Sequence, residues 1–158
     1  MIMAMVILIF SLALLLFYVQ SACQRILRRE FAQEFFHSIV NANRLEFPFV
    51  RQALQEFDAP VEYAQFRMQL KCDFLALTYL LKNAVNERQR LTSEERLLVV
   101  YFKSLSFLMA VCHMLGFGEK RFFLKLTSIL QYFGNVLGER VNQLRFGNMT
   151  ASEYLMSL

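Results

Sequence analysis

Nineteen consecutive residues, Met1 to Val19 (MIMAMVILIFSLALLLFYV), contain no charged side chain, and only Ser11 interrupts their apolar run. As a helix rising about 1.5 Å per residue, the stretch is roughly 28 Å long, close to the hydrocarbon thickness of about 30 Å in a bilayer. An unpaired segment in lipid must satisfy its backbone hydrogen bonds internally, which requires a helix. The sequence therefore predicts an N-terminal transmembrane anchor over residues 1–19, followed by a second unit over residues 20–158.

A cleaved secretory signal is the competing reading. Such signals open with basic residues and carry an apolar core of about 7–15 residues. Here the first basic residue is Arg25 and the apolar run is longer. Ser21-Ala22-Cys23 resembles a lipoprotein cleavage site, but Gln20 occupies a position where those sites want an aliphatic side chain. The uncleaved anchor is preferred. Arg25, Arg28 and Arg29 follow it at once, and basic residues flanking a span are retained on the cytoplasmic side. The expected topology in the cell (inner) membrane is single-pass, with the N-terminus outside and the C-terminal domain in the cytoplasm. The same three arginines are candidates for membrane-surface contact, each attracting anionic headgroups by about 1 kcal/mol.

Composition then narrows the second unit. Of 158 residues 56% are hydrophobic, and removing the anchor leaves an ordinary globular proportion. There are 2 prolines and 5 glycines, with no linker-like or repetitive tract, so one domain is expected. Cys23, Cys72 and Cys112 are widely spaced without a CxxC pair; they suit packing in a reducing compartment. The three arginines beside the anchor account for much of the formal charge of +4, and the other basic residues are scattered around predicted helix ends. No basic helix face or nucleic-acid motif accompanies it, so membrane lipid is the expected partner of this charge and nucleic acid is not.

Periodicity predicts an all-α bundle of about four to five helices continuing from the anchor. Ile26, Leu27, Phe31, Phe35, Phe36, Ile39 and Val40 recur at helical spacing, and no proline or glycine interrupts the chain before Pro48. One continuous rod from the membrane to about Asn43 is therefore expected. A short helix from Pro48 to Phe57 follows, and Asp58 is expected to cap the next, with Pro60 in its first turn. Residues 66–74 alternate as a strand would, but Phe66, Leu70, Phe74, Leu77 and Leu81 form an i, i+4 row. Helix is preferred, since a lone strand would have no partner. After a polar loop, Thr92 and Glu95 have the spacing of a capping box. The helix they open, to about Leu115, is very apolar, and Glu94, Glu95, Arg96 and Lys103 make a buried central bundle helix a better reading than a second span. Gly116 and Gly118 should stop it. The last long helix, about 119–144, presents Phe122, Leu126, Ile129, Leu130, Phe133, Val136, Leu137 and Val141 on one face, and a short terminal turn follows. Gly134 and Gly138 form a GxxxG that, outside lipid, reads as close helix approach within the domain.

Chemistry is sparse. His37 follows Glu34 as Glu-x-x-His, but a di-iron bundle needs a second such element, and His113 has Ala110 in the required place. His113, with His37, is retained as an alternative haem- or cofactor-binding pair, because it sits on the apolar helix beside Met109, Cys112 and Met114. No catalytic residue, metal site or cofactor is otherwise expected, and no phosphate-binding, nucleophile-elbow or dinucleotide motif occurs. Phenylalanine is in excess, 17 with no tryptophan. The adjacent pairs Phe35-Phe36 and Phe122-Phe123 point about 100° apart on a helix, which makes Phe36 and Phe123 candidates for a partner face. The function expected from this pattern is a non-catalytic, membrane-anchored helical scaffold, or accessory subunit bound to other protein subunits of a membrane complex.

Overall fold

The computed structural model describes residues 2–29, 31, 35–56, 63–83, 91–115 and 120–147. Among the described residues there are six α-helices and no strand: α1 (Ile2–Leu27), α2 (Phe36–Asn43), α3 (Phe47–Glu56), α4 (Tyr63–Asn83), α5 (Ser93–Met114) and α6 (Lys120–Gly147). The expected Asp58 cap, the Gly116–Gly118 stop, most of the polar loop after Asn83 and the terminal turn after Gly147 lie outside the described residues.

α1 has two parts. From Met3 to Tyr18 its described large apolar side chains are between 55% and 79% exposed. From Val19 onward it packs on the bundle: Cys23 is fully buried, and Val19, Ile26 and Leu27 rest against the core. The helix then tightens, with the Arg29 N–H donating to the Ile26 carbonyl at 3.1 Å. The expected rod to Asn43 is therefore not continuous: α1 ends at Leu27 and α2 begins at Phe36. The reason is non-local. The Asn135 carboxamide oxygen, on α6, accepts the N–H groups of Phe35 and Phe36 at 3.0 and 2.9 Å. A helix start leaves such donors without intrahelical partners, and here a side chain about 100 residues away satisfies them, so α2 starts where α6 receives it. Phe31 meets Tyr132 edge to face at 5.5 Å on the way. α2 ends at Arg44, which is left-handed (φ 51°), and the Leu45 N–H returns to the Val40 carbonyl at 3.1 Å.

α3 is started in the same manner. Asp73, on α4, accepts the N–H groups of Glu46 and Phe47 at 2.9 and 2.7 Å, placing a carboxylate at the positive end of α3. α4 is helical throughout, and its row Leu70, Phe74, Leu77, Leu81 is buried. α5 begins with the expected capping box: Thr92 Oγ accepts the Glu95 N–H while Glu95 accepts the Thr92 N–H.

The centre of the bundle is α6. It touches each of the other five helices, and Leu126, Ile129, Leu130, Phe133, Val136 and Leu137 are all buried. α5 is peripheral, contrary to the sequence expectation. It buries Leu98, Tyr101, Phe102, Leu105 and Met109 but exposes Val100, Phe107, Leu108 and Met114. α6 has small residues where the start of α2 meets it: Gly134 and Gly138 let Phe36 and Phe35 approach its backbone closely, and α5 has no glycine. A Cβ on Gly138 would stand 2.2 Å from Phe35 Cβ, and one on Gly134 3.1 Å from Phe36 Cβ. The GxxxG is thus an intramolecular seat for α2.

Candidate functional site

Two places have the character of a site: the junction where α1 meets the bundle, and a cavity between α4 and α5. At the junction, Arg25 and Arg28 are exposed at the end of α1. Arg29 turns to the protein. Its guanidinium lies 3.9 Å from Glu139 on α6 and 5.5 Å from the Phe31 ring centroid. It also shares a cleft with Tyr132, whose hydroxyl is pushed above the usual phenol range by burial and the Glu94 charge, against the opposing charge of Arg29. Of the three arginines expected at the lipid surface, Arg25 and Arg28 are exposed and Arg29 joins the end of α1 to α6. Being half-exposed, the Arg29–Glu139 pair contributes little energy.

Beneath it lies a stronger link. Glu95 is buried, accepts the Thr92 N–H with one carboxylate oxygen, and pairs through the other with the Arg140 guanidinium of α6. One side chain therefore both caps α5 and ties its start to α6. α5 runs antiparallel to the end of α1: Glu94 and Glu95 share a cleft with Arg29, and further along α5 Tyr101 lies beside Cys23.

The aromatic candidates are placed differently from expectation. Phe36 is 9% exposed and Phe123 is fully buried. Phe36 sits on Gly134 of α6 and near Phe47, and Phe123 is surrounded by Tyr63 and Phe66 at 5.9 and 6.2 Å. Neither offers a surface to a partner: Phe123 is on α6, which has protein on several sides, and Phe36 is seated against Gly134 at the start of α2.

The two histidines are both exposed. His37 lies against the Phe36 ring, and His113 stacks on Tyr63 at 3.7 Å with rings nearly parallel. A haem held between helices needs an axial side chain directed into an apolar pocket. None of the described residues lining the apolar cavity is a histidine, so these residues do not fit the haem alternative. Among the described residues no group of three His, Cys, Asp or Glu side chains is arranged to hold a metal ion. Cys72, expected to be a packing residue, is exposed on α4, and Cys112 is half-buried.

The cavity has a volume of about 320 Å³, within the range of small-molecule sites. Its floor is Leu70 and Phe74 of α4, Phe102 and Met109 of α5, and Leu126 of α6; the Phe74 and Phe102 rings stack at 3.9 Å. Arg67 and Lys71 on α4 and Lys103 on α5 stand at its mouth, all exposed. No described lining residue is acidic. The sequence held a signal for it, an Arg67/Lys71 pair at i, i+4 above a row of apolar residues, which reads equally as an ordinary solvated helix face. Comparison with known proteins gives no family model, no curated protein and no solved structure that matches the chain.

Proposed function

We propose that the protein is a non-catalytic, single-pass scaffold or accessory subunit of a membrane protein complex, anchored by α1 with its bundle on the cytoplasmic side. The observation that carries this reading is the division of α1. An apolar helix long enough to cross a membrane leaves its described large apolar side chains exposed from Met3 to Tyr18, then locks into the core from Val19 onward. An apolar surface of that extent is stable in lipid and costly in water. A flexible tether would leave the domain free to tumble; a helix whose end is built into the core holds the bundle at a fixed height. The exposed Arg25 and Arg28 then fall at the headgroup level. Contacts to other subunits belong to the bundle's exposed apolar side chains, Phe49 on α3 and Val100 and Leu108 on α5, in place of Phe36 and Phe123.

Cys72 supplies the topology test, since its thiol is exposed. A membrane-impermeant thiol reagent should leave it unlabelled in intact cells and label it after lysis. Labelling in intact cells overturns the cytoplasmic placement. Deleting residues 1–18 should release a folded, soluble bundle and lose the subunits that co-purify with the full chain in mild detergent. A deletion variant that remains with the membrane, or a full chain that purifies alone with its cellular role intact, contradicts the scaffold reading.

A further inference from the structure

We infer that the α4/α5 cavity is a binding site for an anionic amphiphile with an alkyl chain, the chain lying on the Phe74–Phe102 floor and the head group meeting Arg67, Lys71 and Lys103. Three observations converge on that chemistry. First, a cavity of about 320 Å³ floored by leucine, phenylalanine and methionine favours a flexible hydrocarbon over a polar metabolite, since nothing on its floor can replace hydrogen bonds lost on leaving water. Second, its mouth carries three cations and, among the described lining residues, no carboxylate. An anion placed there gains attraction from both helices without displacing an internal ion pair. Third, exposed Leu75 and Phe107 border the opening, extending the apolar path outward past the charges. The three cations are exposed at the rim, and the floor residues Leu70, Phe74, Phe102, Met109 and Leu126 beneath them are buried, so charge lies above an apolar base.

The orientation of α5 adds a route. α5 passes from the cleft it shares with Arg29, to Tyr101 beside Cys23, and on to the cavity residues Lys103, Ser106, Phe107 and Ala110. Because α1 runs the opposite way, this direction leads back toward its exposed apolar part. The cavity therefore lies on the side of the bundle nearer the span. Supply of the ligand from a bilayer rests on the anchored reading; binding itself does not, and is measured away from any membrane.

The full-length protein in a nonionic detergent is titrated with dodecanoate, dodecyl phosphate and dodecanol, with binding followed calorimetrically. Saturable binding of one dodecanoate or dodecyl phosphate per chain is expected, with dodecanol at least tenfold weaker. The exposed double variant Lys71→Glu/Lys103→Glu should weaken both anions tenfold or more at unchanged helicity and melting temperature. Ala110→Phe, which fills the cavity without touching the charges, should abolish binding of all three. Native mass spectra of the protein purified from its own membranes identify the source: an adduct with the mass of a fatty acid or of an anionic phospholipid, lost in Lys71→Glu/Lys103→Glu, supports the site in either case. Equal affinity for dodecanoate and dodecanol, or binding indifferent to both variants, would show mere partitioning and overturn the proposal. So would the absence of saturable binding.

Discussion

Gly138→Ala should destabilise the bundle severely while Gly134→Ala, four residues earlier in the same motif, should leave it nearly unchanged. Alanine is the better helix former by about 1 kcal/mol in both places, so propensity alone predicts a gain twice. Packing separates them. At Gly138 the new methyl would lie 2.2 Å from Phe35 Cβ and 3.1 Å from its Cγ, whereas carbon atoms rest at about 3.5–4.0 Å. α2 must therefore retreat from α6 by more than 1 Å, and no flexible side-chain end is available to yield instead. Overpacking of this kind costs about 3 kcal/mol or more. The same retreat stretches the two bonds from Phe35 and Phe36 to Asn135, now 3.0 and 2.9 Å, at about 1 kcal/mol each. Less the propensity gain, the net loss is about 4 kcal/mol. At Gly134 the nearest atom stands at 3.1 Å, so a shift of a few tenths of an ångström suffices, and its cost roughly cancels the propensity gain.

Thermal unfolding followed by circular dichroism in mild detergent resolves this. A domain of this size loses about 2–4 °C per kcal/mol, so Gly138→Ala should melt roughly 10 °C low and Gly134→Ala within about 2 °C of the parent. Phe35→Gly removes the opposing Cβ. In a double-mutant cycle it should relieve most of the Gly138→Ala penalty, a coupling that independent sites do not show. Equal effects at the two glycines, or a Gly138→Ala protein as stable as the parent, would refute the close seating of α2 on α6.

Other perturbations follow from the same contacts. Asp73→Ala strands the Glu46 and Phe47 N–H groups and should cost about 1–3 kcal/mol, while Asp73→Asn keeps an acceptor for both and should stay within about 1 kcal/mol. Burial raises the Asp73 pKa above its ordinary 3.8, against the opposing N–H bonds from Phe47 and Glu46. Its contribution to stability is therefore full below that ordinary value and is lost as pH rises through the raised one; melts against pH should show this fall in the parent and not in Asp73→Asn. Glu95→Ala removes a cap and leaves the Arg140 charge buried, so urea unfolding should report a loss of about 3–5 kcal/mol, against less than about 1 kcal/mol for Arg29→Ala at the exposed pair. Phe36→Glu and Phe123→Glu should both unfold the bundle, since each buries a charge, and Phe107→Glu, on the surface, should leave its melt unchanged.

What the sequence displayed openly was local. The capping box at Thr92 and Glu95 needs only a spacing of three residues, and it is present. The helical row from Leu70 to Leu81 is buried as its period implies. Both tertiary caps were hidden, because an asparagine on α6 and an aspartate on α4 carry no mark of the helix starts they satisfy. That is why residues 20–43 read as one rod: nothing in that stretch breaks a helix, and the break is imposed by Asn135. Hydrophobic content likewise misidentified the central helix. α5 is rich in apolar residues, which says that it tolerates burial, whereas α6 combines a buried apolar face with Gly134, Asn135 and Gly138, the residues that seat the start of α2.

The adjacent phenylalanines do not mark a partner face, since Phe36 and Phe123 are buried. Two neighbours 100° apart on a helix cannot both face a core that lies on one side only. α6, however, has protein on several sides, so Phe123 is buried and Phe122 half-buried at once. Phe35 and Phe36 escape the rule for another reason. They stand at the very start of α2, where Phe35 is still outside the helix, and its side chain meets Gly138 while Phe36 meets Gly134. A pair of aromatics and a pair of small residues four apart on another helix are thus complementary halves of one contact. Neither half is informative alone: the glycines suggest a dimer face in lipid, the phenylalanines a partner surface, and only their meeting shows that the bundle satisfies both internally. The surface aromatic that remains on α5, Phe107, is single and lies beside a cationic cavity, which is why ligand binding there is separable by mutation from the packing that holds the bundle together.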